Sequence, residues 1–168
     1  MVELKSGKIL LRHFTEDDAE AYLICHDKEA TKNLFSVPKN LHEAKKEVSR
    51  FIKQYSKDTR VREREAFVIE YKGVFVGWIM IRNIKFSEQA MTSSVVSQKF
   101  RGRGIGTDVH KILLKYVFRK YKLKKIISRI KILNKASARM LEKSGYGLDE
   151  SHELRIPGKK NVYVVEHN

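Results

Sequence analysis

The sequence predicts one mixed α/β domain, and three observations carry that expectation. The chain has 168 residues, the size of a single ordinary domain. Short β-branched apolar runs alternate with stretches whose apolar residues recur at helical spacing. Hydrophobic residues make up 42% and aromatics 10%, with nine glycines and two prolines, which excludes disordered, collagen-like and low-complexity chains despite the high charge. No repeat or linker divides the chain, so residues 1–168 are read as one domain.

The elements follow in order. Residues 8–14 form an apolar run that predicts a strand. Thr15 then supplies a hydroxyl cap, and Glu16, Asp17 and Asp18 fill the first turn of a helix expected to reach residue 27. Leu41, Ala44, Val48, Phe51, Ile52 and Tyr55 fall at helical spacing and predict a second helix. Residues 66–71 and 74–81 are β-rich and joined by Lys72-Gly73, a hairpin signal. Residues 89–97, rich in Thr, Ser and Val, are a further strand. Residues 104–121 are a long helix with Ile105, Val109, Leu113, Tyr116 and Val117 on one face, which leaves His110 on its charged side. Residues 126–132 read as a strand, and residues 134–143 as a short helix stopped at Ser144-Gly145. Residues 146–156 and 161–166 read as strands around Pro157-Gly158, a type II turn pair. The order is β-α-α-β-β-β-α-β-α-β-β.

Charge is the strongest compositional signal. The chain carries 35 Lys+Arg and 20 Asp+Glu, a formal net charge of +15. Residues 1–98 hold 17 basic and 14 acidic side chains, whereas residues 99–160 hold 18 basic and 5 acidic, a net +13. Such a field attracts a phosphate-rich ligand, an acidic protein, nucleic acid or an anionic membrane; a Lys-rich solvated surface is the plain alternative. The first residues have no apolar stretch behind their charges, so no signal peptide is expected. No apolar run approaches the roughly 20 residues of a membrane span, and a cytoplasmic protein is expected. The single cysteine, Cys25, has no partner for a disulfide or a thiolate metal site, so no metal is expected; packed in a helix, it is read as idle. Trp78, in an apolar strand, is read as core.

The most informative segment is the loop after the strand at 89–97, Arg101-Gly102-Arg103-Gly104-Ile105-Gly106-Thr107, which opens directly into the long helix. The first N–H groups of a helix lack internal partners and carry partial positive charge, and glycine lets a ligand approach them. Arg101 and Arg103 add charge, and the Thr107 hydroxyl can donate to a phosphate oxygen. No Lys follows Gly106, so the loop is not a Walker loop, and its third glycine comes one residue early for a dinucleotide fingerprint. A tight turn with glycines chosen for conformation alone is the competing reading.

Arg101-x-x-Gly104-x-Gly106 resembles the acetyl-CoA signature of the Gcn5-related N-acetyltransferases, the GNAT superfamily. Asn134-Lys135-Ala136-Ser137 followed by Leu141-Glu142-Lys143-Ser144-Gly145-Tyr146 resembles that superfamily's second CoA segment, with Tyr for the usual Phe. The opening, Ile9-Leu10-Leu11-Arg12 with Thr15-Glu16-Asp17-Asp18, is most similar to the ribosomal-protein N-terminal acetyltransferase branch. The resemblance implies a mixed, mostly antiparallel central sheet flanked by helices, with strands that splay at the acetyl-CoA site. It implies that the Val96 N–H bonds the thioester carbonyl, that Arg101, Gly102, Arg103, Gly104, Ile105, Gly106 and Thr107 hold the pyrophosphate, and that Asn134 bonds the pantetheine arm. A plain helix N-cap is the other reading of Asn134.

The resemblance leaves acid and base open. The family's usual acidic Tyr falls on Leu141, and its usual base Glu on Ala90. Ser137 is the acid implied by the ribosomal branch, although a Ser in a first helical turn also bonds its own backbone. Glu88, two residues before Ala90, is the candidate base, with Glu153 next. The expected reaction is acetyl transfer to an amine, foremost a protein N-terminus. The alternatives are a small amine, such as a polyamine, and a basic module that binds nucleic acid or the ribosome. The basic C-terminal half is a docking surface for an acidic partner or a ribosome on the last reading.

Overall fold

The computed structural model describes residues 1–34, 37–150 and 160–167. One sheet holds β1 (Glu3–Ser6), β2 (Ile9–Arg12), β3 (Arg64–Tyr71), β4 (Val74–Lys85), β5 (Gln89–Val96), β6 (Lys125–Lys131), β7 (Gly147–Leu148) and β8 (Lys160–Glu166), in the order β1-β2-β3-β4-β5-β6-β8-β7. Every neighbouring pair is antiparallel except β5–β6. That parallel pair needs a crossover, which the long helix α4 (Ile105–Tyr121) supplies. The remaining helices are α1 (Ala19–Ile24), preceded by a 3₁₀ turn at Glu16–Asp18, α2 (Lys28–Asn33), α3 (Leu41–Tyr55) and α5 (Lys135–Lys143).

Alternation along the strands divides the core into two layers. Phe67 and Ile69 of β3 pack with Val109, Leu113 and Val117 of α4, while Ala66 and Val68 pack with Ala44, Val48 and Phe51 of α3. The mixed, mostly antiparallel sheet between helices agrees with the expectation. Trp78 lies in the α3 layer, where its Nε1 donates to Nε2 of His26, and is core as expected. Three features were not legible. Residues 3–6 add an edge strand through the turn at Gly7, residues 28–33 form α2, and β2 stops at Arg12 so that His13 leaves the sheet. The Pro157-Gly158 turn and Glu153 lie outside the described residues.

His13 leaves the sheet to reach a buried carboxylate. Glu65 of β3 has no exposed surface. It is met by His13 Nε2 at 2.9 Å, by Nη1 of Arg62 at 3.0 Å, by Nζ of Lys120 at 2.9 Å and by the hydroxyls of Tyr121 at 2.7 Å and Tyr116 at 3.2 Å. One carboxylate thus ties the exit of β2, the entry of β3 and the end of α4. Burial alone would raise its pKa, but the hydrogen bonds from His13, Lys120 and Tyr121 outweigh it and hold it at about 2. A second clamp fixes the following turn: Arg12 grips both oxygens of Asp18 at 2.8 Å and Glu70 at 2.7 Å.

Removing the Glu65 charge leaves buried Arg62 and half-buried Lys120 without their anion, so Glu65→Gln should cost about 3 kcal/mol or more near neutral pH. The folded pKa is depressed, so the stability Glu65 supplies is full above its ordinary 4.5 and is lost as pH falls towards about 2. Urea unfolding near pH 6 and near pH 3 checks this. The gap between wild type and variant should be larger at the higher pH.

Candidate active site

The site begins where β5 and β6 part. They pair only from Gln89 opposite Lys125 to Thr92 opposite Ser128. Ser93 to Val96 keep their β4 partners but have no β6 partner. Ser97 N donates to Val76 O, and antiparallel pairs alternate between bonded and non-bonded, so the N–H groups of Ser94 and Val96 turn away from β4 into the gap. The gap is the floor of a cleft of about 520 Å³ that runs from the glycine loop to Arg82 and Arg129. Gly77 of β4 sets this geometry from behind. A Cβ there would stand 2.0 Å from the Val95 carbonyl oxygen, so only glycine lets β4 lie so close to the end of β5.

At the cleft's upper end the chain turns through Gly102 and Gly104, with φ of +75° and +79° and open space where a Cβ would sit. Their backbone conformation, rather than crowding, requires glycine. Gly104 is the N-cap of α4 and leaves it without a side-chain cap. The first intrahelical bond runs from Asp108 N to Gly104 O, so the N–H groups of Ile105, Gly106 and Thr107 have no acceptor among the described residues. Gly106 serves differently: a Cβ there would press on Met140 of α5 at 3.3 Å, so it sets the spacing of the two helices.

The side chains of this loop depart from expectation. Arg101 was read as a phosphate ligand, yet its Nη2 holds both oxygens of Asp27 at 2.8 and 3.0 Å and its Nε donates to Val96 O at 2.8 Å. Its charge is spent on Asp27, which also accepts from Gln98 N at 3.1 Å. Arg101 is therefore a brace between the loop, the end of β5 and the start of α2. Burial would raise the Asp27 pKa, but the Ala30 N–H and Arg101 lower it below the usual carboxylate value. Arg103 is exposed, its guanidinium 5.4 Å from the Phe100 ring centre, and Ile105 is core. Thr107 lines the cleft.

Across the cleft, Asn134 caps α5 by accepting from Ser137 N at 3.1 Å. Asn134 and Ser137 both line the cleft, so the cap is present and faces it. Leu141 is buried core, as is Ala90.

Two further expectations are corrected. Glu88 was read as continuing the regular strand, but β5 begins at Gln89. Glu88 lies in the exposed β4–β5 turn, paired with Lys85 Nζ at 3.4 Å, and eight residues, about 26 Å of strand, separate it from Val96. It does not line the cleft. His110 was read as a surface residue and is 1% exposed. The buried face of α4 is wide enough to include positions 110 and 114 beside 109, 113 and 117. His110 Nε2 lies 3.1 Å from Ser94 Oγ, and its Nδ1 lies 3.4 Å from the Tyr146 hydroxyl, itself 3.3 Å from Thr92 Oγ1. Burial pushes its pKa down to about 4, so the ring is neutral at physiological pH and can offer one donor and one acceptor to this chain. Cys25 is buried beneath α1 with its thiol pushed up to about 12 by burial, consistent with the idle reading.

A second cleft, of about 680 Å³, opens on the α1–α3 face and is lined by Tyr22, Trp78, Glu43, Glu47 and Met91 among others. It shares Leu34, Arg82, Ser93 and Arg129 with the first, so the two meet at the parted strands. Asp27, Gly77, Arg82 and Arg129 escaped the sequence reading, because no local motif marks residues whose partners are so distant in the chain. Among the described residues no helix is long and apolar enough to cross a membrane.

Parted strands, an uncapped glycine-turn helix and a capped helix opposite define an acyl-CoA-dependent transferase site. A family model described as an acetyltransferase (GNAT) domain matches residues 8–147, and the chain belongs to that family: it is an acetyl-CoA-dependent N-acetyltransferase. No curated protein matches the sequence. Similar solved structures include RimL, a ribosomal L7/L12 alpha-N-protein acetyltransferase in complex with coenzyme A (TM-score 0.83, 16% identity, 98% of each chain covered). An acetyltransferase from Salmonella typhimurium that modifies the N-terminal serine of ribosomal protein L7/L12 is similar at TM-score 0.80 and 16% identity over 97% of each chain. The microcin C7 self-immunity acetyltransferase MccE, in complex with acetyl-CoA and AMP, is similar at TM-score 0.79 and 18% identity over 96% of this chain and 94% of that one. At these identities the likeness concerns the fold.

The residues present fit acetyl-CoA. Three unpartnered N–H groups at a helix N-terminus suit a diphosphate, and outward strand N–H groups suit an extended amide arm. Gly77→Ala should therefore displace the end of β5. The melting temperature should fall by about 2–4 °C for each kcal/mol of strain, and the stabilisation that CoA confers on the melting curve should shrink. An alanine variant with an undiminished CoA-induced shift would refute this role of Gly77.

Proposed function

We propose that the enzyme acetylates the N-terminal α-amine of a protein, with acetyl-CoA and acceptor bound together and the amine attacking directly. The observation that carries this reading is the second cleft. It brings an acceptor to the parted strands from the face opposite α4, and it is open and ungated by an acidic cage. Its two carboxylates are already engaged: Glu43 accepts from Lys39 N at 2.8 Å, and Glu47 is paired with Arg50 at 3.0 Å and Arg64 at 3.4 Å. Among the described lining residues the four cations Lys46, Arg50, Arg82 and Arg129 outnumber these two carboxylates, so the cleft repels a polyamine. The similar RimL structure, described as an alpha-N-protein acetyltransferase, supports the same acceptor class. A cytoplasmic location, with access to nascent or ribosomal proteins, belongs to the proposal.

Only a neutral amine attacks. A lysine side chain lies about 2.5 pKa units above an α-amine, a difference of about 3.4 kcal/mol in the cost of deprotonation. With Glu88 remote and Ala90 and Leu141 apolar, the described part of the cleft favours the acceptor that demands less of a base. On this reading the Val96 N–H stabilises the oxyanion. The N–H groups from Ile105 to Thr107 hold the diphosphate in a backbone turn shaped by Gly102 and Gly104, with Arg103 adding charge nearby. Asn134 meets the pantetheine arm, and the Ser137 hydroxyl protonates the departing thiolate.

Turnover of acetyl-CoA by the purified chain, with peptides of differing N-termini beside spermidine and free lysine, tests the acceptor class. Mass spectrometry should place the acetyl group on the α-amine, and no turnover with any α-amine overturns the reading. Ser137→Ala should lower kcat about 100-fold with little change in the KM for acetyl-CoA, the signature of a lost proton donor. A variant with wild-type kcat would remove Ser137 from that role.

A further inference from the structure

Two arginines line the junction of the two clefts, and no carboxylate among the described residues pairs with either. Arg82 of β4 and Arg129 of β6 line both clefts. Lys131, two residues beyond Arg129, lies on the same face of β6, and Lys160 of β8 stands directly opposite Lys131. Elsewhere the chain pairs its enclosed arginines. Arg12 holds Asp18 and Glu70, Arg62 holds Glu65, and Arg101 holds Asp27. Arg82, Arg129 and Lys131 form no ion pair among the described residues. Arg82 Nε donates only to Ser93 Oγ, at 3.3 Å, and Lys131 Nζ reaches the Lys32 carbonyl. The Nε of Arg129 is buried with no acceptor among the described residues. Burial and then the neighbouring charge of Arg129 lower the pKa of Arg82; burial and then Lys131, Arg82 and Arg129 lower that of Lys160. Gathering like charges and leaving a buried donor unsatisfied is unfavourable unless an anion arrives to meet them.

We propose that this stripe is an acceptor subsite for carboxylates, and that the preferred acceptor is a protein whose N-terminal segment carries Asp or Glu directly after the reactive amine. The inference rests on the N-terminal acetyltransferase reading and names its substrate class. The cofactor's diphosphate does not supply the anion. Its place is the α4 N-terminus beyond Val96, and Val96 lies five residues, about 17 Å of strand, from Met91, the residue opposite Arg82. Arg82 and Arg129 sit where the clefts join, on the acceptor side of the Val96 N–H. Counted on from Thr92 opposite Ser128, Lys131 stands level with Val95, next to the reacting amine, and Arg129 level with Ser93, about 10 Å of strand from Val96, the span of three residues of an extended peptide. Carboxylates one to three residues after the amine therefore reach the stripe.

Steady-state kinetics with three peptide amides sharing an N-terminal serine test this: Ser-Glu-Glu-Ala, Ser-Gln-Gln-Ala and Ser-Lys-Lys-Ala. The wild-type chain should prefer the Glu peptide over the Gln peptide by about tenfold in kcat/KM, expressed in KM, with the Lys peptide last. In the double variant Arg82→Gln, Arg129→Gln that preference should collapse to near unity, while the KM for acetyl-CoA holds. The double variant Arg82→Lys, Arg129→Lys should restore the preference, which a packing role alone would not do. Equal turnover of the three peptides by wild type overturns the subsite and leaves the N-terminal reading standing, as does a Gln double variant that keeps its preference. Turnover of no α-amine peptide overturns both. The wild-type comparison decides even where the variants fail to fold.

Discussion

Everything at the site depends on one strand being held on one edge and released on the other. β5 remains bonded to β4 along its whole length, while its pairing with β6 stops after Thr92 and Ser128. A strand with an open edge is a liability unless something stiffens it. Three features do so here. Gly77 lets β4 press against the Val95 carbonyl, Arg101 binds the Val96 carbonyl from the loop side, and Asp27 receives both Arg101 and the Gln98 N–H. The open edge is therefore braced, with the N–H groups of Ser94 and Val96 turned into the cleft. Such preorganisation is what an oxyanion donor requires, since a donor that must first reorient stabilises little.

Charge is handled in two opposite ways within one small domain. At the far end of α4 three groups that carry or can carry positive charge, His13, Arg62 and Lys120, converge on Glu65 together with the hydroxyls of Tyr116 and Tyr121, and the result is a satisfied, structural network. At the junction of the clefts Arg82 and Arg129 converge on no carboxylate among the described residues. The same residue types are thus structural where the chain supplies the anion, and on the proposed reading they serve the acceptor where it does not. A net +15 distinguishes none of this, because the formal sum counts alike a locked Arg101 and an Arg129 that has no ion-pair partner among the described residues.

That contrast also marks how far the sequence could be read. Its periodicity located α3, α4, α5 and the β3–β4 hairpin, because each buries one face whose spacing is visible in the residue order. The glycine loop and Asn134 were legible because backbone conformation and capping are local demands that only a few residue types meet. Glu88 misled because a strand's first residue cannot be told from the last residue of its turn without its partner. His110 misled because a polar residue on a helix joins the core only when distant groups, here Ser94 and Tyr146, arrive to bond it. Arg101 misled because Asp27 lies 74 positions away. Each miss is a contact between residues far apart in the chain.

The placement of charge and the choice of acceptor bear on each other. A carboxylate base beside the reacting amine would raise that amine's pKa as well as accept its proton. Cations beside it do the reverse, disfavouring the ammonium and enlarging the neutral fraction that can attack. For an α-amine, already close to neutrality in its titration, the second arrangement suffices; for a lysine side chain it leaves about 3.4 kcal/mol more to find. On the proposed reading the stripe therefore acts twice, attracting the acceptor's carboxylates and favouring the reactive form of its amine. An acidic segment after the amine neutralises part of that field, so the gain in binding and the gain in amine reactivity oppose each other. The best acceptor is then one whose amine reacts beside Val96 while its carboxylates reach Arg129 and Arg82.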